Sequence, residues 1–149
     1  MEDAIVMEIE IAAPPERVFR ALTDPRQVLA WWSEDGKYRT TKWELDPRVG
    51  GKWRTTGIDG AGAEWVGSGE VVEWDPPWVL AHTWEFDRHA AQGFPKTTVR
   101  YELERAGQGT RLRLTHQGFA GHRAALDDYR GGWPGALALL RAYTEAQAA

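Results

Sequence analysis

Ile5, Met7, Ile9 and Ile11 are interleaved with Val6, Glu8 and Glu10, the period-two pattern of a strand with one wet face. Ala13-Pro14-Pro15 closes that strand and opens a helix with Val18, Phe19 and Leu22 on its buried side, because proline suits the first helical turn. Asp24-Pro25 repeats the signal as an N-cap followed by a first-turn proline, so a second short helix is predicted to about Trp32. Strand patterns then dominate. Lys42 to Asp46 and Lys52 to Gly57 flank the turn Pro47-Arg48-Val49-Gly50-Gly51, and Asp59-Gly60-Ala61-Gly62 makes the next reversal. Glu64 to Trp74 and Val79 to Phe86 are strands about the turn Asp75-Pro76-Pro77. After a loop from Asp87 to Pro95, Thr97 to Arg105 and Thr110 to His116 pair around Ala106-Gly107-Gln108-Gly109.

The last element is predicted from Gly131-Gly132-Trp133-Pro134. The glycines break whatever precedes them, and Pro134 opens a helix. Trp133, Leu137, Leu140 and Thr144 then fall at i, i+4, i+7 and i+11, with Ala136 and Tyr143 beside them, one apolar stripe that must lie on another layer. Asp127-Asp128 reads as the solvated face of a separate short helix before Gly131. A strand, two short helices, a run of antiparallel strands and one long helix define an α+β chain, with the terminal helix covering one face of the sheet.

Composition narrows the function. At 149 residues the chain is a single domain spanning 1–149. It has no cysteine, which excludes disulfides and thiolate chemistry. The net charge of −4 argues against nucleic acid. No apolar run approaches the roughly 20 residues that span a bilayer, and Met1-Glu2-Asp3-Ala4 lacks a basic leader. No membrane contact and a cytoplasmic location are therefore expected. Nine tryptophans stand out: they are either core or the walls of a site for a flat, greasy molecule.

Hairpin arithmetic sorts the strand residues by face. Closing one hairpin at Asp87 and Lys96, and the next at Arg105 and Thr110, sets His82 opposite Tyr101, Trp84 opposite Val99, Tyr101 opposite Leu114 and Val99 opposite His116. A turn at Pro76-Pro77 sets Trp74 opposite Val79, Trp84 opposite Gly69 and Phe86 opposite Gly67. All the inward residues then share one concave face, with glycines relieving the crowding of the aromatics. That face includes Trp65, Val71, Leu80, Val99, Leu103, Leu112 and Leu114, with Trp53 and Thr55 placed inward as well. Its polar tips are His82, Tyr101 and His116. Each tip is either a satisfied core residue or a placed polar group in a binding pocket. On the outer face Val66, Val72, Trp74 and Val79 gather, a patch suited to a homodimer or a protein partner.

The markers Pro14-x-Glu16-x-Val18-Phe19-x-Ala21-Leu22-Thr23-Asp24-Pro25, Trp31-Trp32, Val49-Gly50-Gly51-x-Trp53, Gly69-x-Val71, Pro76-Pro77, Thr83-Trp84, Leu114-Thr115-His116-x-Gly118-Phe119 and Gly131-Gly132-Trp133-Pro134 recur in this order along nearly the whole chain. In this arrangement the chain resembles the START/birch-pollen-allergen-like (SRPBCC) superfamily, and within it the branch similar to the C-terminal domain of the activator of the heat-shock protein 90 ATPase. The resemblance implies a helix-grip fold: a curved antiparallel sheet around the C-terminal helix, with a cavity between. The family's functions are broad and constrain activity less than fold, so the residues and the resemblance together leave three readings. The first is a soluble protein holding an apolar or aromatic small molecule. The second is a chaperone-associated domain, although the family's eukaryotic protein carries an N-terminal partner domain that this chain lacks. The third is a small enzyme of cyclase or hydrolase type, using His82, Tyr101 and His116 for proton transfer.

The binding reading is preferred, because no nucleophile elbow, phosphate loop or dinucleotide fingerprint is present. No catalytic residue, cofactor or metal is assigned; His82 and His116 lie a strand apart, and no inward acid or cysteine completes a zinc site. The expected ligand set is Trp31, Trp53, Trp65, His82, Trp84, Phe86, Tyr101, His116, Trp133, Leu137 and Leu140. Of the pair Trp31-Trp32, one is expected buried and one at the rim, with access to the cavity near that corner and Trp133.

Overall fold

The computed structural model describes residues 4–148. Strand β1 (Ile5–Ile11) leads into α1 (Pro15–Thr23) and α2 (Pro25–Trp31). Then come β2 (Ser33–Glu34), β3 (Tyr38–Leu45), β4 (Lys52–Asp59), β5 (Glu64–Asp75) and β6 (Val79–Phe86). A single turn of helix, α3 (Asp87–Ala91), separates β6 from β7 (Thr97–Ala106) and β8 (Gly109–Gln117), and α4 (Arg123–Ala148) ends the chain. The eight strands form one antiparallel sheet in the order β1-β8-β7-β6-β5-β4-β3-β2. It curls into a half-barrel against α4, the α+β helix-grip arrangement. No helix is long and apolar enough to cross a membrane among the described residues.

Local chemistry sets the entrance. Asp24 caps α2, its carboxylate accepting from the Arg26 N–H at 3.0 Å, with Pro25 in the first turn. The apolar side of α1 buries Val18, Phe19 and Leu22, as its spacing requires.

The terminal helix departs from the sequence reading. It begins at Arg123 and runs 26 residues, with Pro134 in its interior. Gly131 and Gly132 lie within it. Proline and glycine both weaken helix interiors. Here the buried positions Ala125, Leu126, Trp133, Ala136, Leu137, Leu140 and Thr144 continue one stripe through the glycines. Burial of that stripe outweighs the local propensity. Asp127 and Asp128 do face outward, on this same helix.

Two registers also differ. Strands β6 and β7 pair two residues out of the expected alignment: His82 lies opposite Val99, Leu80 opposite Tyr101, and Trp84 opposite Thr97. Glu85 and Phe86 run past β7 and pair with β5 alone. An even shift keeps every side chain on its face, so the inner face is as expected. Tyr101 opposite Leu114, Val99 opposite His116 and Gly67 opposite Phe86 are observed. Between Val71 and Glu73 a β-bulge shifts the β5–β6 register by one, so Trp74 pairs with Leu80 rather than Val79. A one-residue slip changes faces. Trp74 therefore leaves the outer patch and turns inward, its ring 5.3 Å from Phe19. Val66, Val72 and Val79 remain without it.

Candidate functional site

Six of the nine tryptophans meet on the concave side. Trp31 stacks on Trp32 at 4.8 Å, and Trp32 approaches Trp43, Trp84 and Trp133 at 5.8, 6.1 and 6.2 Å. Trp53 lies behind, 5.3 Å from both Trp43 and Trp84. Glycines make the room. A side chain at Gly57 would enter the Trp65 ring, and one at Gly67 would lie 2.6 Å from Phe86.

The cluster does not fill the space under the sheet. A cavity of about 380 Å³ opens between it and the helices α3 and α4, within the size range of small-molecule sites. Trp32, Trp43, Trp65, Trp84 and Phe86 form its aromatic wall. Tyr38, Thr40 and Thr55 lie along β3 and β4, and Arg88, His89, Asp128 and Tyr129 form the rim. A smaller recess of about 270 Å³ adjoins it and reaches Gly132, Trp133 and Ala136. The corner between Trp32 and Trp133, where access was expected, is thus hollow. The buried indole N–H groups of Trp43 and Trp84 have no hydrogen-bond partner among the described residues.

Of the expected ligand set, Trp65, Trp84 and Phe86 line the cavity and Trp133 lines the recess. The others do not. Trp31 is buried and donates its indole N–H to the Ala21 carbonyl at 2.7 Å, leaving Trp32 as the rim member of the pair. Trp53 donates to the Thr83 carbonyl at 2.7 Å. Leu137 and Leu140 belong to the packed core.

His82, Tyr101 and His116 are sealed in that core. His116 Nδ1 accepts from the Trp133 indole N–H at 3.0 Å, so its proton sits on Nε2 and is donated to Thr97 Oγ1 at 2.7 Å. Thr97 in turn donates to the Trp84 carbonyl at 3.3 Å. This chain ties α4 to the sheet with every group satisfied. His82 is held between Trp53 and Trp84, its Nδ1–H on the Thr83 carbonyl at 3.2 Å. Burial pushes His82 down to about 4. Burial, with some repulsion from His82, pushes His116 down to about 3. Burial alone raises Tyr101. All three are neutral structural groups at neutral pH.

The polar rim is assembled from elements that the sequence reading treated as loop or separate helix. Arg88 pins α3 to the β4–β5 hairpin through Asp59 at 2.7 Å and the Glu64 carbonyl at 3.2 Å. Asp87 accepts from the Val66 N–H at 3.1 Å. The Arg88 hydrogen bond is the main cause that lowers Asp59. His89 then reaches Tyr129 on α4, Nδ1 to hydroxyl 2.5 Å, and Asp128, Nε2 to carboxylate 3.2 Å.

An eight-stranded antiparallel sheet curled against one long C-terminal helix, with two short helices after the first strand, defines the class: a helix-grip domain. Residues 12–145 match the family described as Activator of Hsp90 ATPase homolog 1-like protein, and the chain belongs to that family. No curated protein matches it. Among solved structures, protein CV1439 from Chromobacterium violaceum is 28% identical with a TM-score of 0.81, covering 95% of this chain and 96% of that one. The AHSA1 protein from Silicibacter pomeroyi is 26% identical, TM-score 0.77, covering 94% and 96%. The AHSA1-like protein from Aeromonas hydrophila, at 23% identity and TM-score 0.78 over 97% and 94%, shares the fold.

Proposed function

We propose that this protein binds an apolar or aromatic small molecule in the cavity between the sheet and α4. One observation carries the reading: about 380 Å³ walled by aromatic rings with a polar rim of Arg88, His89, Asp128 and Tyr129. A packed scaffold would fill such a space, and ligand sites combine apolar walls with a few polar groups. The polar rim of Arg88, His89, Asp128 and Tyr129 favours a ligand with a polar group over a pure hydrocarbon.

Intrinsic tryptophan fluorescence tests this. Titration with a panel of fatty acids and bicyclic aromatic ketones and phenols should give saturable quenching by at least one member. Trp65→Ala, which removes a half-buried wall residue, should weaken that binding about tenfold or more, as loss of a stacked aromatic contact implies. Flat titrations across the panel would overturn the proposal.

The family match over residues 12–145 favours a second reading, a domain acting on the heat-shock protein 90 ATPase. Under the ligand reading, adding the purified protein should leave that ATPase rate unchanged. A stimulated rate would transfer the assignment to the chaperone.

A further inference from the structure

The cavity carries one acid–base arrangement, built from residues other than His82, Tyr101 and His116. His89 on α3 and Tyr129 on α4 meet at the rim with 2.5 Å between Nδ1 and the hydroxyl, and Asp128 stands 3.2 Å from Nε2. A carboxylate only accepts. The neutral imidazole therefore carries its proton on Nε2, toward Asp128, and Nδ1 accepts from the Tyr129 O–H. The ring is held in place, stacked on Phe94 at 4.7 Å and edge-on to Phe86 at 6.1 Å. All three residues line the cavity. The Trp84 and Trp43 indoles stand in the same wall, the Trp84 N–H lying toward the Tyr129 hydroxyl. One aromatic-walled space thus holds, at its rim, a phenol backed by a base.

Resting on the cavity being a ligand site, we propose that Tyr129, positioned by His89 and Asp128, is the catalytic residue of a proton-transfer site for enolisable aromatic ketones. The C–H bond beside the carbonyl breaks, and its proton goes to the Tyr129 oxygen. The Tyr129 proton passes to His89 Nδ1, whose imidazolium is balanced by Asp128. The C–H electron pair forms the enolate double bond and the carbonyl pair moves onto oxygen, and the imidazolium formed on His89 balances the enolate charge. Reversal returns a proton to carbon, so no oxidant or co-reactant is consumed. Burial lowers His89 against the opposing pull of Asp128 and Asp87, keeping the imidazole neutral and able to accept. Burial raises Tyr129, so its proton moves only in concert with transfer to His89.

The probe is 2-tetralone in D2O, followed by proton NMR at the carbons beside the carbonyl, with tryptophan fluorescence reporting binding in parallel. Exchange should run at least tenfold faster than in buffer. Tyr129→Phe should lose that acceleration while binding stays within twofold. The groups facing His89 are Asp128 and Tyr129 from α4, Asp87 and Arg88 on its own turn, and His122 beyond Phe94. The rate should rise with pH through an inflection below the usual histidine value and then level off. His89→Gln should abolish the inflection, and Asp128→Asn, at an exposed site, should move it to lower pH. A ketone that binds but exchanges no faster than in buffer, or equally fast with Tyr129→Phe, overturns the proton relay and leaves the binding reading standing. Absence of 2-tetralone binding, while other panel members bind, overturns the relay alone; absence of any binding overturns both.

Discussion

Lowering the pH from 8 to 5 is expected to remove about 4 kcal/mol of folding stability, through His82 and His116. Both are buried and neutral in the fold, pushed down to about 4 and about 3, whereas an unfolded histidine titrates near pH 6.5. A folded value below the unfolded one means that the unfolded chain binds more protons in between. The stability is therefore fully present above about pH 6.5 and is lost as pH falls through the window toward 4 and 3. The carboxylates lowered in the fold, Asp59 and Glu70, release their contributions only around and below the ordinary carboxylate range, so pH 5 isolates the histidines, with half-buried His89, also lowered by burial, adding to the loss in the same sense. Urea unfolding at pH 8 and pH 5, read by tryptophan fluorescence, measures the difference. His82→Gln should cut the loss to about half. Equal stability at the two pH values would show that these histidines are not sealed. In the fold His82 protonates first and His116 after it; protonated His116 could no longer accept from Trp133, so that second step frees α4 from the sheet.

The second large effect is steric. Gly69→Ala should destabilise the domain by about 3 kcal/mol or more, the range for forcing atoms into a packed core and breaking a buried hydrogen bond. A Cβ at Gly69 would fall well inside contact distance of both the Thr83 carbonyl and the Trp53 indole nitrogen. Those two groups are hydrogen-bonded to each other at 2.7 Å across the missing side chain. Trp53 is 1% exposed and packed against Trp43, His82 and Trp84, so it has nowhere to move. Gly131→Ala provides the contrast. Nothing lies within 4 Å of a Cβ there, and the residue is inside α4, so alanine should stabilise by about 0.5–1 kcal/mol. Thermal unfolding of the two variants should move the midpoint in opposite directions. A midpoint unchanged by Gly69→Ala would mean that the sheet adjusts freely at β5.

Most of the fold was legible because the sheet writes itself in period two. The alternation of Ile5 to Ile11, the proline starts of α1 and α2, and the inward set from Val71 to Leu114 all follow from side-chain direction alone. A register error of two residues left that set intact. The same error concealed the place of Thr97 opposite Trp84, which the true register of β6 and β7 supplies. The bulge in β5 carries no sequence signal as strong as the alternation it interrupts, so Trp74 was assigned to the wrong face.

The site was less legible. The sequence determined that aromatic side chains would crowd a glycine-relieved concave surface, and Trp65, Trp84 and Phe86 are cavity walls as read from it. Tertiary structure decided where the hollow lies and which polar groups reach it. His82, Tyr101 and His116 share the concave face, but neighbouring side chains close over them, and which of a sheet's inward residues are covered is a property of packing. The rim required α4 to start eleven residues earlier than its glycines and proline indicate, at Arg123 rather than Pro134, and required Asp87–Ala91 to fold as a helix. Only then do Asp128 and Tyr129 meet His89, residues about 40 positions apart in the chain. Local propensity is worth about a kilocalorie per residue for glycine and several for proline, less than the burial of Leu126, Trp133 and Leu140 along one continuous helix. The pattern of the sequence named the surfaces, and the energy of packing them together chose the site.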